Sequence, residues 1–296
     1  MMIHWTRLGA LTLVLALSSA LPGQAIAAGF DPAPLDKAVR SAEDRLSARI
    51  GVAVIDRETG ETWTHRADER FPLNSTFKAF LCAAMLEKGE REEIDPGRRV
   101  EVRAEDLVSY SPVTEKEVGS GGMTYMELCD AAITISDNAA ANLVLAAVGG
   151  PRGLTDYLRG IGDTVTRLDR TEPALNEGRP GDARDTTSPA AAAATLRNLV
   201  LGDALSPEAR AQLTGWLLDN KVGDSTLRAG LPEEWPVADK TGAGANGSRN
   251  NIAVIWPDGR EPVVIAVYIT QTKASFDERN KAIADIGSAL ALSLLP

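Results

Sequence analysis

Residues 236–270 read PVADKTGAGANGSRNNIAVIWPDGREPVVIAVYIT, and this stretch decides the fold class. Three segments within it, Pro236 to Lys240, Asn251 to Trp256 and Pro262 to Thr270, alternate or run apolar and so predict strands. Pro257-Asp258-Gly259 supplies a tight turn between the last two, which makes them antiparallel neighbours. Near the other end of the chain, Ile50 to Ile55 predicts a further strand. Glu58-Thr59-Gly60 is its turn, and Glu61 to His65 its hairpin partner. The middle is of another kind. From Ser75 to about Leu201 the pattern is helical and Ala-rich, beginning with a helix at Ser75 whose face is Phe77, Phe80, Leu81, Ala84 and Met85. Ala139 to Val148 predicts a second helix, stopped by Gly149-Gly150-Pro151. Thr187-Ser188-Pro189 opens a third, with a capping hydroxyl and a proline in its first turn. Leu35 to Ala48, apolar at Leu35, Val39, Ala42 and Leu46, and Asp277 to Leu294 complete the helices. The expected architecture is α/β of the α+β type. An antiparallel sheet (28–70 and 213–296) is flanked by N- and C-terminal helices, with an all-helical lobe (71–212) inserted. Ligand sites favour such lobe boundaries.

The first residues do not belong to that domain. Arg7 precedes an apolar run from Leu8 to Leu17, followed by Pro22-Gly23 and Ala25-Ile26-Ala27. This is the pattern of a secretory signal peptide, residues 1–27, cleaved after Ala27. The run is shorter than the roughly 20 residues a membrane span needs. No twin arginine precedes it, which points to general secretion and a periplasmic or secreted, membrane-free product. In that oxidising space Cys82 and Cys129 have two readings, a structural disulfide or two separately buried thiols, and the disulfide is the expectation. Closing that loop would contribute roughly 4 kcal/mol on the chain-entropy model. The net charge of −10 repels nucleic acid and anionic membrane surfaces alike. The two histidines are His4, which leaves with the signal peptide, and His65, which sits in a strand. One histidine cannot build a multi-His zinc site, so neither metal nor cofactor is expected, and hydrolytic chemistry has to run on Lys and Glu.

Three short motifs occur in order: Ser75-Thr76-Phe77-Lys78, Ser136-Asp137-Asn138 and Lys240-Thr241-Gly242. The first alone is expected about once in a chain of this length; the others are expected on the order of 0.1 times or less. Their joint occurrence in this order is the strong signal. At a helix N-terminus, free N–H groups around Ser75 favour developing negative charge. Lys78 lies one turn on, within reach of the hydroxyl, and crowding by Lys240 would lower its pKa toward that of a base. Between about Arg167 and Asp185 there is no periodicity, and a loop of that length inside a compact domain is usually functional.

Through these motifs, and through Tyr110–Lys116, Arg167–Arg170 and Asp185–Thr187, the chain resembles the class A serine β-lactamases over almost its whole mature length. The resemblance implies a β-lactamase/transpeptidase-like fold, β-lactam hydrolysis and antibiotic resistance, a small-molecule β-lactam as sole partner, and a monomer. By the same resemblance Ser75 is the nucleophile, Ser136 relays a proton to the lactam nitrogen, and Asn138 holds the substrate's side-chain amide. Lys240, Thr241 and Arg249 bind the substrate carboxylate, Arg249 with a planar fork suited to it. The N–H groups of Ser75 and Ala243, flanking Gly242, form the oxyanion hole, and Tyr110 walls the cleft. Cys82 and Cys129 match the family's disulfide.

Glu172-Pro173-Ala174-Leu175-Asn176 discriminates among relatives that share the three motifs. In class A enzymes the matching Glu and Asn hold the water that frees the acyl-enzyme, a sound pairing of general base and orienting amide. A D,D-peptidase or penicillin-binding protein, or a single-turnover β-lactam sensor, gives this segment no role. Whether Glu172 or Lys78 takes the Ser75 proton stays open. The resemblance also implies an Arg170–Asp185 pair across the neck of the loop, and the Glu172–Pro173 bond is a candidate for cis geometry. Asn74 and Gly244 stand where one carbapenem-hydrolysing group has bridged cysteines, and Ala243 lacks a hydroxyl found in some cephalosporin-hydrolysing members. The expected substrates are penicillins and early cephalosporins.

Overall fold

The computed structural model describes residues 29–294 together with the first two residues; the signal-peptide reading of residues 1–27 therefore falls outside the described part. Helix α1 (Ala33–Leu46) buries Leu35, Val39, Ala42 and Leu46, the stripe its periodicity predicts. Strands β1 (Arg49–Asp56) and β2 (Thr62–His65) form the expected hairpin. The two-residue strand β3 (Phe71–Pro72) leads into a 3₁₀ turn, Asn74–Thr76, and then helix α2 (Phe77–Glu90). Ser75 thus lies in the 3₁₀ turn ahead of the α-helix rather than at the helix's own first residue. A second difference concerns α2 itself. It is buried all round from Phe77 to Leu86, because Ala79, Cys82 and Ala83 pack as closely as the larger residues opposite. A helix without a polar face is a core helix.

Strands β4 (Arg99–Val100) and β5 (Met123–Thr124) pair beside α3 (Tyr125–Asp130), which carries a capping box from Thr124 and Glu127. A π-helical turn, Ala131–Ile135, ends at Ser136, and α4 (Asn138–Ala147) follows, capped by Asp137. Gly149 and Gly150 end α4 as expected, yet α5 (Gly150–Gly160) begins at once, with Pro151 in its first turn. After the long loop come β6 (Thr186–Thr187), α6 (Pro189–Leu201), whose N-cap is Ser188, and α7 (Pro207–Leu218). Helix α7 runs across the 212/213 division drawn from the sequence. The short helix α8 (Leu227–Gly230) precedes β7 (Val237–Ala243), β8 (Arg249–Ile255) and β9 (Val263–Thr270), and α9 (Phe276–Leu294) closes the chain.

The five-stranded sheet has the order β2-β1-β9-β8-β7 and is antiparallel throughout. One face packs on α1 and α9 through Leu35, Val39, Ile283, Ile286 and Leu290; the other faces α6 and the helices beyond. Burial on both faces explains the nearly unbroken apolar run of β9. Cys82 on α2 and Cys129 on α3 form a disulfide, with Cα atoms 5.6 Å apart. Among the described residues no helix is long and apolar enough to cross a membrane.

Candidate active site

Strand β7 at the sheet edge lies against the turn that carries Ser75. A Cβ at Gly242 would come within 3.0 Å of Asn74 Cβ and 3.1 Å of the Ser75 nitrogen, so a larger residue would have to push this turn back by a few tenths of an ångström. Between the sheet edge and the helices opens a cleft of about 410 Å³. Its lining includes Ser75, Tyr110, Ser136, Asn138, Asn176, Thr241, Gly242, Ala243 and Arg249, which brings together residues from all three motifs and the long loop. Lys78, Glu172 and Lys240 sit behind this lining, each at most 2% exposed.

The buried groups are tightly interlinked. Lys78 Nζ donates to the Ser136 carbonyl (2.8 Å), to Ser136 Oγ (3.4 Å) and to Asn138 Oδ1 (2.6 Å). Its salt bridge to Glu172 Oε1 spans 3.3 Å. The expected Lys78–Ser75 hydrogen bond is not made in this state; the ammonium is turned to Ser136 and Asn138 instead. Lys240 Nζ donates to Ser136 Oγ at 3.2 Å, so both lysines converge on one hydroxyl. Burial pushes the Lys78 ammonium below its ordinary value, with Glu172 the main opposing charge. Lys240 is driven well below by burial first and by the Lys78 charge second. Desolvation, rather than crowding by Lys240, is therefore what makes Lys78 a better base.

Glu172 is pinned at both ends of its residue. Its N–H donates to Asn142 Oδ1 and its carbonyl accepts from Asn142 Nδ2, both at 2.9 Å, while Asn176 Nδ2 donates to Glu172 Oε2 at 2.5 Å. The Glu172–Pro173 bond is cis. The loop's neck is closed by the Arg167–Thr186 bridge and by Asp185, which is 1% exposed. Asp185 accepts from the Asp169 and Arg170 N–H groups (2.7 and 2.9 Å) and from Arg170 Nε (2.6 Å). Arg170 also holds Glu177 at 2.6 Å.

On the opposite wall Arg249 is 4% exposed, donates to Asn280 Oδ1 at 2.6 Å and lies under the Phe276 ring, 4.8 Å from its centroid. Burial, then repulsion from Arg279, lowers its guanidinium to about 10, so it stays charged at neutral pH. Ser136 (φ 67°) and Tyr110 (φ 63°) both adopt the left-handed conformation that non-glycine residues seldom take, a feature that clusters at functional sites. Sequence reasoning missed the supports: Asp137, which anchors the Val113 and Thr114 N–H groups at 2.9 Å, Asn142, Asn250, and the lining residues Val222, Ser225 and Phe276. Asp137 was visible as the middle of its motif; the others carry no local pattern. Among the described residues no group of three or more His, Cys, Asp or Glu is placed to hold a metal ion.

Chemically, this is a serine beside two depressed lysines, a buried carboxylate held by an amide, and a cationic wall. The model of the Beta-lactamase enzyme family matches residues 34–293. Beta-lactamase AER-1 of Aeromonas hydrophila is 50% identical over 284 residues, covering 96% of this chain and 93% of that protein. Beta-lactamase PSE-4 of Pseudomonas aeruginosa is 46% identical over 277 residues, 94% of this chain and 96% of its own length. Among solved structures, an ancestral (GNCA) class A β-lactamase matches with a TM-score of 0.85 at 56% identity, covering 87% of this chain and 99% of that one.

Proposed function

This chain belongs to the Beta-lactamase enzyme family as a class A serine β-lactamase, a resistance hydrolase, and from that premise we propose how its residues divide the reaction. Ser75 Oγ attacks the lactam carbonyl as its proton passes to the Lys78–Glu172 pair, and the N–H groups of Ser75 and Ala243 take the oxyanion. The C–N bond then breaks, and Ser136 delivers a proton to the departing nitrogen. Lys78 and Lys240, 3.4 and 3.2 Å from that hydroxyl, replenish it. Lys240, Thr241 and Arg249 hold the substrate carboxylate, Asn138 the side-chain amide, and Tyr110 the apolar rim. In the second half Glu172, with Asn176, takes a proton from water as that water attacks the Ser75 ester, and Ser75 leaves with its proton restored.

The observation that carries this reading is the buried carboxylate of Glu172, 3.3 Å from Lys78 and 2.5 Å from Asn176. It is a base poised for release as well as capture, which a protein that stays acylated does not need. Penicillins and early cephalosporins are the substrates, since Ala243 carries no hydroxyl. The enzyme acts as a monomer outside the cytoplasm after losing residues 1–27. The test mixes purified mature protein with a large excess of chromogenic β-lactam. Many turnovers per enzyme are expected, and Glu172→Ala should trap the acyl-enzyme. A wild-type burst that stops near one equivalent would replace this reading with that of a penicillin-binding protein or sensor.

A further inference from the structure

Beside the serine, a chain of buried amides runs from the sheet to the base. Asn250 on β8 donates through Nδ2 to the Pro72 and Leu73 carbonyls (2.8 and 3.1 Å) and to Asn74 Oδ1 (3.0 Å). Asn74 Nδ2 donates to Asn176 Oδ1 at 3.1 Å, and Asn176 Nδ2 donates to Glu172 Oε2 at 2.5 Å. The polarity of this chain is forced from the sheet end. Backbone carbonyls only accept, so Asn250 must present Nδ2 to them and to Asn74. Asn74 then offers its own Nδ2 onward, and Asn176 presents its own Nδ2 to the Glu172 carboxylate oxygen. Every amide is oriented by the one before it.

Asn74 is the joint. It is fully buried and left-handed (φ 45°), a conformation that asparagine tolerates better than most residues. The hairpin after β7 leaves room for its amide only because position 244 is glycine; a Cβ there would stand 2.2 Å from Asn74 Nδ2. The same hairpin grips the loop, through Ala245 N–H to the Asn176 carbonyl at 3.0 Å and Asn246 Nδ2 to the Glu177 carbonyl at 3.1 Å.

We propose that Asn74 is a positioning residue for deacylation: held by Asn250, its amide sets the orientation of Asn176 and through it the aim of the Glu172 carboxylate. The inference rests on the deacylation role given above to Glu172 and Asn176. Asn74 is not among the residues lining the cleft, and in acylation Lys78 shares the Ser75 proton with Glu172, so that step depends less on the aim of the carboxylate.

The test uses two variants of the mature enzyme and separates the half-reactions by rapid-quench mass spectrometry. Asn74→Asp keeps the acceptor for Asn250 but replaces the donor to Asn176 with an acceptor. Asn176 then turns Nδ2 toward position 74 and presents Oδ1 to Glu172, a repulsive contact. Asn74→Leu removes both bonds and leaves Asn176 held in orientation by Glu172 alone. Acylation within about threefold of wild type is expected in both. Deacylation should fall about ten- to a hundredfold, more in Asp than in Leu, so that acyl-enzyme becomes the main species. Asp takes the left-handed backbone as readily as Asn, so that variant decides the matter if the Leu variant does not fold. Wild-type deacylation in Asn74→Asp would overturn the proposal, and so would equal losses in both half-reactions. If the wild-type enzyme itself stalls after one equivalent, the deacylation reading fails and this inference fails with it.

Discussion

Asp185→Asn isolates what closing the loop contributes. The substitution keeps one carbonyl oxygen for the Asp169 and Arg170 N–H groups but turns an NH₂ toward Arg170 Nε, donor against donor. Breaking a buried ion pair from one side typically costs about 3–5 kcal/mol. Arg170 is 19% exposed and retains Glu177 at 2.6 Å, so a loss of about 2 kcal/mol is the better figure. For a domain of this size that lowers Tm by about 4–8 °C. The kinetic consequence is larger and falls mainly on deacylation. Glu172 and Asn176 ride on the loop, and a displacement of about 1 Å lowers a rate roughly a hundredfold. Ser75, Lys78 and Ser136 stand on other elements, and Lys78 shares the acylation proton with Glu172, so acylation should change less than deacylation. Calorimetry reads the first effect, and burst kinetics with a chromogenic β-lactam the second. If Tm fell as expected while deacylation kept its wild-type rate, the idea that the loop aims the base would be refuted.

Other outcomes follow from the same geometry. Lys240→Met should stabilise the protein by about 1–2 kcal/mol while raising KM sharply, because it removes a buried charge that burial disfavours. The gain should shrink as pH rises. With the folded pKa depressed, the unfolded chain binds the extra proton, so wild-type stability climbs with pH up to the ordinary Lys range and the difference closes there; melts from pH 7 upward check it. Arg249→Ala should raise KM about ten- to a hundredfold for substrates bearing the carboxylate, with a much smaller effect when it is esterified. Replacing Cys82 and Cys129 by Ala should lower stability by up to about 4 kcal/mol, read by urea melts, and leave kcat within about twofold at low temperature.

The strands and end helices were legible because each repeats a pattern its environment enforces. β9 is buried on both faces and reads apolar; α1 is buried on one and reads with a helical period. α2 was read as one-sided because alanines score as neutral, although Ala79 and Ala83 are fully buried. The pairs β3–β6 and β4–β5 have two residues per strand, too few to show alternation. At the site, the motifs could be found because their residues stand at short spacings. Asn74, Asn142 and Asn250 could not, since each acquires meaning from a partner 30 to 176 positions away. An asparagine in isolation looks like a turn or a surface residue.

The pairing of β1 with β9 has a consequence for how the enzyme comes into being. Ala53 faces Ala266, so the centre of the sheet joins the first strand made to the last. Until the ribosome has passed residue 270, β1 has only its hairpin partner, and an isolated hairpin is marginal in water. The nascent chain therefore carries all three motifs well before it can hold them in register. Non-local closure of this kind is slow, and it makes maturation all-or-none: a chain cut short before Val263 leaves the sheet without its central strand and is a substrate for proteases instead of an enzyme.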